Sequence, residues 1–311
     1  MTDATSVPDG TPGEGRPAVE AVGLGKRYRG DQWALRDCHF TVPAGRICGV
    51  VGANGAGKST LLTLVARLIR PTEGELRVFG GTSSTPESRA RVACVTQEKP
   101  LYPSFTVAET LRMGRELNPG WDEEAARRVV DLGELHPRSR IGALSGGQRT
   151  RVALALALGK RAELLLLDEP MADLDPLARH ELMGLLMAEA AERGTTILVS
   201  SHILPELDGV IDHLLLVQAG RIRLAGDLEE ILDGHQLLTG VADGAGGAEL
   251  PAGMAVERRV RGRQVTALLH TGEPVDGPWE SSRPSLEELL LAYLRTPPRI
   301  PATAPDREAA A

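Results

Sequence analysis

Residues 52–60 read GANGAGKST, a pattern of glycines, one lysine and two hydroxyl side chains that binds polyphosphates. The pattern lies between an apolar run predicted as a strand, residues 46–51, and a run with helical spacing, residues 58–69. Glycines let backbone N–H groups surround a phosphate, and the helix start adds its positive dipole end. We expect Lys58 to contact the β- and γ-phosphates of a nucleotide and Ser59 to bind Mg²⁺. The residues expected around the phosphates are Gly52, Ala53, Asn54, Gly55, Ala56, Gly57, Lys58, Ser59 and Thr60.

Two carboxylates directly follow a second apolar strand, LLLL. Asp168, at the carboxyl end of that strand, is placed to bind Mg²⁺ beside the phosphate loop of the same sheet. Glu169 would face the other side and polarise a water molecule. His202 ends another apolar strand, at the edge of the sheet where a γ-phosphate would lie. Gln97 also ends a β-like run, and taken alone it is typical of an ordinary polar loop residue.

A second helix start with phosphate-binding character lies far downstream, in LSGGQ at residues 144–148. Ser145, Gly146, Gly147 and Gln148 precede a long apolar helical run there. Because a helical segment separates this start from the first loop, it is poorly placed to fold back onto the same phosphates. It can reach the phosphates that a second copy of the chain binds. We therefore predict a head-to-tail dimer that encloses two nucleotides, each held by one copy's phosphate loop and the other's SGGQ segment.

Two aromatic side chains precede the phosphate loop and are candidates for stacking on the adenine of a nucleotide. Tyr28, in KRYRG, is the first candidate, and Trp33 is its rival. The sequence leaves the choice open, and either ring is also compatible with a place in the hydrophobic core.

Secondary-structure elements of alternating type, spread over residues 18–233, must position these side chains. Short β-branched or leucine-rich strands alternate with helices, which predicts an α/β fold. Two fully apolar strands, residues 163–167 and 195–200, are typical of a parallel sheet covered on both faces. Between them the sequence predicts one helix, with Asp175 as its N-terminal cap and Gly194 at its end.

Residues 100–160 contain three helical runs and no convincing strand, which predicts a helical insertion within the α/β domain. From residue 234 the composition shifts toward Gly, Ala and Pro, with two short strand candidates, VERRV and VTALLH, and a final helix. We interpret residues 234–296 as a small α+β accessory domain. Its size is near the lower limit for independent folding, so we expect it to lean on the main domain.

The final helix, SLEELLLAYLR, has a single apolar stripe formed by Leu286, Leu289, Leu290 and Leu294. Ser285 and a glutamate three residues later form a predicted capping box at its start. A helix this short is marginal in water, so its stripe must pack on another element. The accessory strands are the favoured partner, and a second copy of the chain is the alternative.

Composition limits the classes of partner. The net charge is −7 and the acidic residues are dispersed, so we expect no nucleic-acid partner. No apolar run approaches the ~20 residues of a membrane-spanning helix, so a membrane role would need a partner. Three cysteines without metal-ligand spacing favour buried, reduced thiols in a cytosolic compartment. Residues 1–17 lack the features of a signal peptide and are predicted, like residues 297–311, to be disordered tails.

These motifs, in this order, resemble those of the ATPase subunits of ABC transporters. The matching features are the phosphate loop (Walker A), the Q-loop at Gln97, the LSGGQ signature, the Walker B strand with Asp168 and Glu169, the D-loop ending at Asp175, and the switch histidine His202. The resemblance implies a P-loop NTPase core that carries a helical insertion.

The resemblance also implies roles for individual residues. Glu169 would be the catalytic base, Gln97 would sense Mg²⁺ and the γ-phosphate, and Tyr28 would stack on adenine. The signature Ser145 and the two glycines after it would contact the γ-phosphate of ATP bound to the opposite subunit. Other residues in catalysis are Lys58 and His202, and the Mg²⁺ ligands are Ser59, Gln97 and Asp168.

The D-loop departs from the pattern of that family. The family has small or hydroxyl residues where this chain, in MADLD, has Met171 and Asp173. Asp175 fits the pattern, so an interface role for the D-loop is retained. A hydroxyl contact across the dimer at this loop is not expected.

The predicted function is that of an ATP-binding and ATP-hydrolysing subunit that pairs with a second copy, or a homologous subunit, and drives an integral membrane transporter subunit. It would lie in the cytoplasm, peripheral to the inner face of the cell membrane. The C-terminal PSLEELLLAYLR is similar to that of ABC-2-type exporters, which favours export. The alternative is a soluble ABC ATPase with a regulatory or nucleic-acid-linked role. The long coiled coil of repair and chromosome types does not fit the ~45 residues between Gln97 and Leu144.

Overall fold

The structure is a computed structural model that describes residues 17–30, 32–83, 85–241, 254–273 and 275–297. Apart from Pro17 and Pro297, the two predicted tails lie outside the described residues. Pro17 is the first residue of a strand, so the predicted N-terminal tail extends one residue too far.

The described strands, in chain order, are β1 (Pro17–Arg27), β2 (Trp33–Pro43), β3 (Ile47–Val51), β4 (Glu73–Val78), β5 (Val92–Val95), β6 (Leu164–Asp168), β7 (Thr196–Ser201), β8 (His213–Gln218), β9 (Arg221–Asp227), β10 (His235–Val241), β11 (Ala255–Arg261), β12 (Gln264–His270) and β13 (Glu280–Ser282). The described helices are α1 (Lys58–Val65), α2 (Pro86–Ala90), α3 (Val107–Leu117), α4 (Glu123–Leu132), α5 (Gly146–Gly159), α6 (Pro176–Arg193), α7 (Leu228–Asp233) and α8 (Leu286–Arg295). Two 3-10 turns occupy Ile141–Ala143 and Leu204–Glu206.

A six-stranded sheet in the order β5-β6-β7-β3-β8-β9 forms the centre of the described chain. Strands β5, β6, β7, β3 and β8 pair in parallel, and β9 closes the edge antiparallel to β8. Every residue of β3, β6 and β7 is buried, as expected for strands covered on both faces. The predicted α/β class is confirmed, and the parallel strands direct their carboxyl ends toward one edge.

Two elements of the predicted core differ in their limits. The three apolar strands each begin one residue later than predicted, and β6 and β7 also end one residue later, so Asp168 is the last residue of β6. The helix after the phosphate loop ends at Val65 instead of residue 69. It stops because Arg67 has a left-handed backbone, with φ of 57°, and its guanidinium donates to the carbonyl of Gly81.

A second sheet was not predicted from the sequence. Strands β2, β1 and β4 form an antiparallel sheet in that order, and several register shifts interrupt the pairing of β1 with β2. These strands contain scattered polar residues, because one face of an antiparallel sheet can meet solvent. The predicted helices of residues 100–160 are present as α3, α4 and α5, and Asp175 and Gly194 bound α6 as expected.

The chain after residue 233 contains more strands than the two predicted. Strands β11 and β12 match VERRV and VTALLH, while β10 and β13 join them in an antiparallel sheet of order β11-β12-β10-β13. Strands β10 and β13 were not predicted, because β10 contains Gly240 and β13 consists of three exposed polar residues. Gly240 is required where it lies, because an added Cβ would come within 2.7 Å of Trp279.

Helix α8 packs more deeply than the sequence suggested. Its predicted capping box is present, with Ser285 bonded reciprocally to Glu288. Leu289 and Leu290 are fully buried in the same apolar cluster as Leu268 of the accessory sheet, and that cluster continues into the core of the main domain. The favoured partner, the accessory strands, therefore covers only part of the stripe.

The main domain covers the rest of the apolar stripe of α8. Helix α8 contacts the 3-10 turn Leu204–Glu206 as well as β11. Gln218, the last residue of β8, donates from Nε2 to the carbonyls of Tyr293, Leu294 and Thr296 at 3.1, 3.2 and 3.1 Å. These carbonyls are among those that a helix leaves without partners at its C-terminal end. The described chain thus covers the α8 stripe by itself.

We predict that Leu290→Ala lowers the free energy of unfolding by about 2–5 kcal/mol, because it opens a cavity at a fully buried leucine. Leu177→Ala is the matched control, since this leucine is 68% exposed and its loss should cost less than about 0.5 kcal/mol. Urea unfolding at several protein concentrations measures both. A cost for L290A no larger than that for L177A would show that the chain does not bury this leucine by itself. A midpoint that depends on protein concentration would show that a second copy covers the stripe.

Candidate functional site

The side chain of Lys58 lies at the start of α1 and is 5% exposed. Its Nζ donates to the carbonyls of Gly52 and Ala53 at 2.8 and 3.3 Å, so the loop curls over its own lysine. Nζ also lies 3.5 Å from Oε1 of Glu169. The lysine is thereby compensated on two sides, as a buried ammonium must be.

The loop can take this path only with glycine at two of its positions. A Cβ added to Gly52 would come within 2.2 Å of the carbonyl oxygen of Val217, at the end of β8. Gly57 has φ of 115°, and a Cβ there would meet the carbonyl oxygen of Ala34 at 2.7 Å. The close approach of neighbouring backbone therefore fixes both glycines, independently of any ligand.

A polar pocket of about 340 Å³ opens above this loop. Its lining residues are Ala34, Asn54, Gly55, Gly57, Lys58, Ser59, Thr60, Gln97 and Glu169. The structure thus brings Gln97 and Glu169, which are far apart in sequence, to the phosphate loop. Of the other loop residues, Gly52 and Ala53 lie beneath the pocket as acceptors for Lys58, and Ala56 is buried.

The end of β6 places two carboxylates in different surroundings. Asp168 is 4% exposed, and its Oδ1 accepts a hydrogen bond of 2.7 Å from the hydroxyl of Ser200. The next residue, Glu169, has a left-handed backbone with φ of 48°, and its N–H donates to the same hydroxyl at 2.9 Å. Ser200, on the neighbouring strand β7, therefore fixes both acids. No sequence pattern marks this serine, although it stands two residues before His202 in LVSSH.

His202 meets Glu169 from the end of β7. Its Nδ1 lies 3.2 Å from Oε2 of Glu169, while Oε1 of the same carboxylate faces Lys58. The carboxylate thus bridges a lysine and a histidine at the mouth of the pocket. His202 is 41% exposed, which leaves its ring accessible from outside.

The structure separates the two aromatic candidates. The hydroxyl of Tyr28 lies 3.5 Å from Oγ1 of Thr60, a residue that lines the pocket. The ring of Trp33 instead contacts the guanidinium groups of Arg27 and Arg36, which lie 5.4 and 5.6 Å from the ring centroid. Tyr28 therefore stands at the rim of the pocket, half exposed, whereas Trp33 packs on its own strands.

The signature segment begins α5 and has the geometry of a capping box. The N–H of Gln148 donates to the hydroxyl of Ser145, and the N–H of Ser145 donates to the side chain of Gln148. Among the described residues, the lining of the pocket includes none of the signature. A Cβ on Gly146 would come within 3.1 Å of Cγ of Asp173, so the first glycine packs on the D-loop of its own chain.

The D-loop residues have distinct places. Asp175 accepts at 3.0 Å from the N–H of Ala178 and so caps α6. Met171 is buried, which explains why this position holds a large apolar side chain. Asp173 forms an ion pair of 2.6 Å with Lys99, two residues beyond Gln97, and this contact was not predicted from the sequence.

Comparisons with known proteins bear on this arrangement. A family model described as "ABC transporter" matches residues 35–172, and one described as "AAA domain, putative AbiEii toxin, Type IV TA system" matches residues 140–208. The aliphatic sulfonates import ATP-binding protein SsuB of Yersinia pestis bv. Antiqua (strain Antiqua) is 38% identical over 226 residues, which cover 72% of this chain and 79% of the relative. The chain belongs to the ABC transporter family.

Two further similarities agree with that assignment. The thiamine import ATP-binding protein ThiQ of Shigella flexneri is 38% identical over 203 residues, covering 63% of this chain and 87% of the relative. A solved dimer of the ATP-binding cassette MJ0796, in a post-hydrolysis state bound to ADP and Pi, matches with a TM-score of 0.61 and 26% identity, covering 68% of this chain and 98% of that one. The chain is therefore an ABC ATPase, an ATP-binding and ATP-hydrolysing subunit with a P-loop NTPase core.

Because Ser200 holds the carboxylate of Asp168 and the backbone N–H of Glu169, we predict that Ser200→Ala lowers the kcat for ATP hydrolysis by about tenfold. The substitution leaves the N–H of Glu169 and a buried oxygen of Asp168 without partners, each at a cost of about 1–3 kcal/mol. The KM for ATP should change little, since Lys58 and its loop are untouched.

Steady-state ATPase assays measure both constants. Thr195→Val is the matched control, because it removes a buried hydrogen bond, from Thr195 to Glu189, just before the other end of β7. Equal kcat values for the S200A and T195V variants would contradict a role for Ser200 in placing the two acids.

Proposed function

We propose that this ABC ATPase closes on ATP as a head-to-tail dimer and thereby drives a separate integral membrane subunit of a transporter. The observation that carries the proposal is the separation of two phosphate-binding features on one chain. The phosphate loop has a formed pocket, while the signature helix start caps itself and packs on the D-loop, apart from that pocket. A second copy would bring its signature to this pocket.

The pocket of one chain offers roles for its own residues. Lys58 would exchange its loop carbonyls for the β- and γ-phosphates, and Glu169 would accept the proton of the attacking water. His202, at 3.2 Å, would hold that carboxylate and face the γ-phosphate. Tyr28 would stack on the adenine at the rim. Positioning and charge neutralisation supply most of the catalysis in such phosphoryl transfers.

A magnesium ion fits the oxygen-bearing side chains near the pocket. Ser59 and Gln97 line it, and Asp168 ends β6 with a carboxylate already oriented by Ser200. Hydroxyl, amide and carboxylate oxygens are the ligands that Mg²⁺ takes, together with the substrate's phosphates. Among the described residues, no group of three or more His, Cys, Asp or Glu side chains is arranged to hold a metal ion. We therefore propose that Mg²⁺ enters with ATP.

We predict that two inactive variants restore each other when they form a mixed dimer. Lys58→Ala removes the phosphate contact of one chain, and Ser145→Arg places a large cation in the signature of the other. In the mixed dimer one shared site carries both lesions and the other carries neither, so ATPase activity should return toward half of the wild-type value per dimer. Sequential affinity purification of two differently tagged chains isolates the mixed dimer, and unchanged ATP binding by the S145R chain shows that this chain is folded.

A matched control places both substitutions on one chain. A mixture of the K58A chain with the K58A/S145R chain contains no intact shared site and should stay inactive. No activity in a mixture that contains the K58A and S145R mixed dimer, or recovery without any dimer, would contradict the shared site.

A groove on the helical subdomain, α3 to α5, is our candidate for the docking site of the membrane subunit. The groove, of about 450 Å³, lies between α3 and α4 and has apolar residues such as Leu111 and Val130 in its lining, with several arginines and acids beside them. Next to it, Tyr102 is 58% exposed and its ring stacks obliquely on Phe105, with centroids 5.1 Å apart. An amphipathic helix from the cytoplasmic side of the partner fits such a groove.

We predict that Ala108→Arg abolishes attachment to membranes that contain the partner, because it inserts a charged side chain into the groove from an exposed position. ATP binding and hydrolysis by the isolated chain should persist. Ala191→Arg, at an exposed alanine of α6, is the control and should sediment with membranes like the wild type. Equal sedimentation of the A108R and A191R chains would exclude this groove as the docking site.

The direction of transport is a separate question. The two relatives described above are named as import proteins, so they lend no support to the export direction that the C-terminal helix suggested. Export stays a prediction from the sequence. Among the described helices, none is long and apolar enough to cross a membrane. We propose that the chain lies at the cytoplasmic face, held there by the membrane subunit.

The non-transport alternative, a regulatory or nucleic-acid-linked ABC ATPase, has less support. The import proteins among its relatives favour transport, and a chain of net charge −7 has little attraction for nucleic acid.

A further inference from the structure

The unusual aspartate of the D-loop has a partner on the Q-loop. Oδ2 of Asp173 lies 2.6 Å from Nζ of Lys99. The side chain of Lys99 is only 7% exposed, while that of Asp173 is 48% exposed. A lysine so deeply covered needs a compensating charge, and the carboxylate supplies it. The ion pair therefore requires both a lysine at position 99 and an acidic residue at position 173.

Tight turns fix both backbones at this contact. Lys99 has a left-handed backbone, with φ of 47°, and its N–H donates to the carbonyl of Thr96, while the N–H of Leu101 donates to the carbonyl of Lys99. On the other loop, the N–H of Leu174 donates to the carbonyl of Met171. The ion pair thus joins two ordered loops: the loop that carries Gln97 and the loop that follows Glu169.

The carboxylate also lies directly against the signature. A Cβ on Gly146 would be 3.1 Å from Cγ and 3.3 Å from Oδ2 of Asp173, and a Cβ on Gly147 would be 2.9 Å from its carbonyl oxygen. Asp173 therefore places a negative charge at the start of α5. In the proposed head-to-tail dimer, that start is where the phosphates of the partner's ATP arrive. An unpaired carboxylate there would repel them.

We propose that Lys99 is a positioning residue that neutralises Asp173 and holds it beside the signature, so that the partner's ATP can bind there. The inference rests on the proposed head-to-tail dimer and names the residue that makes this chain's D-loop compatible with it. If the ion pair served only to tie the two loops together, dimerisation would depend on the presence of both side chains and not on the net charge at this contact. A double variant that removes both charges distinguishes the neutralising role from the structural role, because it restores neutrality without restoring the ion pair.

The test uses the full chain with Glu169→Gln, which slows hydrolysis and so allows the ATP-bound dimer to accumulate. Into this background we place Lys99→Met, Asp173→Asn, both together, and Lys99→Arg. Analytical ultracentrifugation against ATP concentration gives the concentration at half-dimerisation. Binding of a fluorescent ATP analogue at a chain concentration too low for dimerisation reports each chain's own pocket, and thermal melting reports folding.

We expect K99M to raise the ATP concentration for half-dimerisation about tenfold, since it leaves the carboxylate of Asp173 unpaired near the phosphates. D173N should dimerise at the same or a lower ATP concentration, and K99R should match the parent. The double variant K99M/D173N should return to within about twofold of the parent, because no net charge remains. Analogue binding should be equal in all of them.

The outcomes separate the inference from the proposal beneath it. If the E169Q chain itself forms no ATP-dependent dimer, the head-to-tail proposal fails and the inference fails with it. If that dimer forms, but K99M leaves the half-dimerisation concentration unchanged, Lys99 has no such role. A double variant as weak as K99M would show that the pair is only a structural tie. If K99M alone is unstable, the K99R and D173N chains test the same inference, because K99R keeps the ion pair and D173N removes the negative charge.

Discussion

The burial of the Lys58 ammonium constrains most of the site. A charge that is 5% exposed must be matched by acceptors, and the carbonyls of Gly52 and Ala53 supply them only if the loop curls over the side chain. That curl brings the loop against the end of β8, which leaves no room for a Cβ at Gly52. The remaining compensation comes from Glu169, which directly follows β6, a strand two places away from β3 in the sheet.

The strand order explains why this reach is possible. Strand β7 lies between β3 and β6, so its end stands between the phosphate loop and the two acids. Ser200 fixes Asp168 and the backbone of Glu169 from there, and His202 approaches the carboxylate of Glu169. The parallel arrangement gathers three strand ends at one edge, and each delivers one part of the site.

The sequence predicted what depends on local pattern. The phosphate loop, the buried strands, the capped helix α6 and the capping box at Ser285 follow from spacing and from residue type, and all are present. Glu169 and His202 could be selected because each directly follows an apolar strand of one parallel sheet, whereas Gln97 was selected only through the family resemblance. The antiparallel sheet of β1, β2 and β4 escaped prediction, since its polar residues and register shifts hide the alternation of its strands.

Contacts between distant segments were beyond the sequence. Nothing in the local sequence around Ser200 shows that its hydroxyl bridges two acidic residues some 30 positions earlier. The pairing of Lys99 with Asp173 spans 74 positions, and only the oddity of an aspartate in the D-loop pointed toward it. Such contacts depend on how loops meet after the sheet has formed, and neither periodicity nor capping signals record that.

The accessory strands and α8 follow from the same principle of shared packing. Helix α8 touches the 3-10 turn Leu204–Glu206, which begins two residues after His202, and its C-terminal carbonyls are held by Gln218 at the end of β8. Close-packed interiors transmit displacement, so a shift of this turn must be accommodated by α8. The C-terminal region therefore packs on the turn that follows His202, even though none of its described residues lines the pocket.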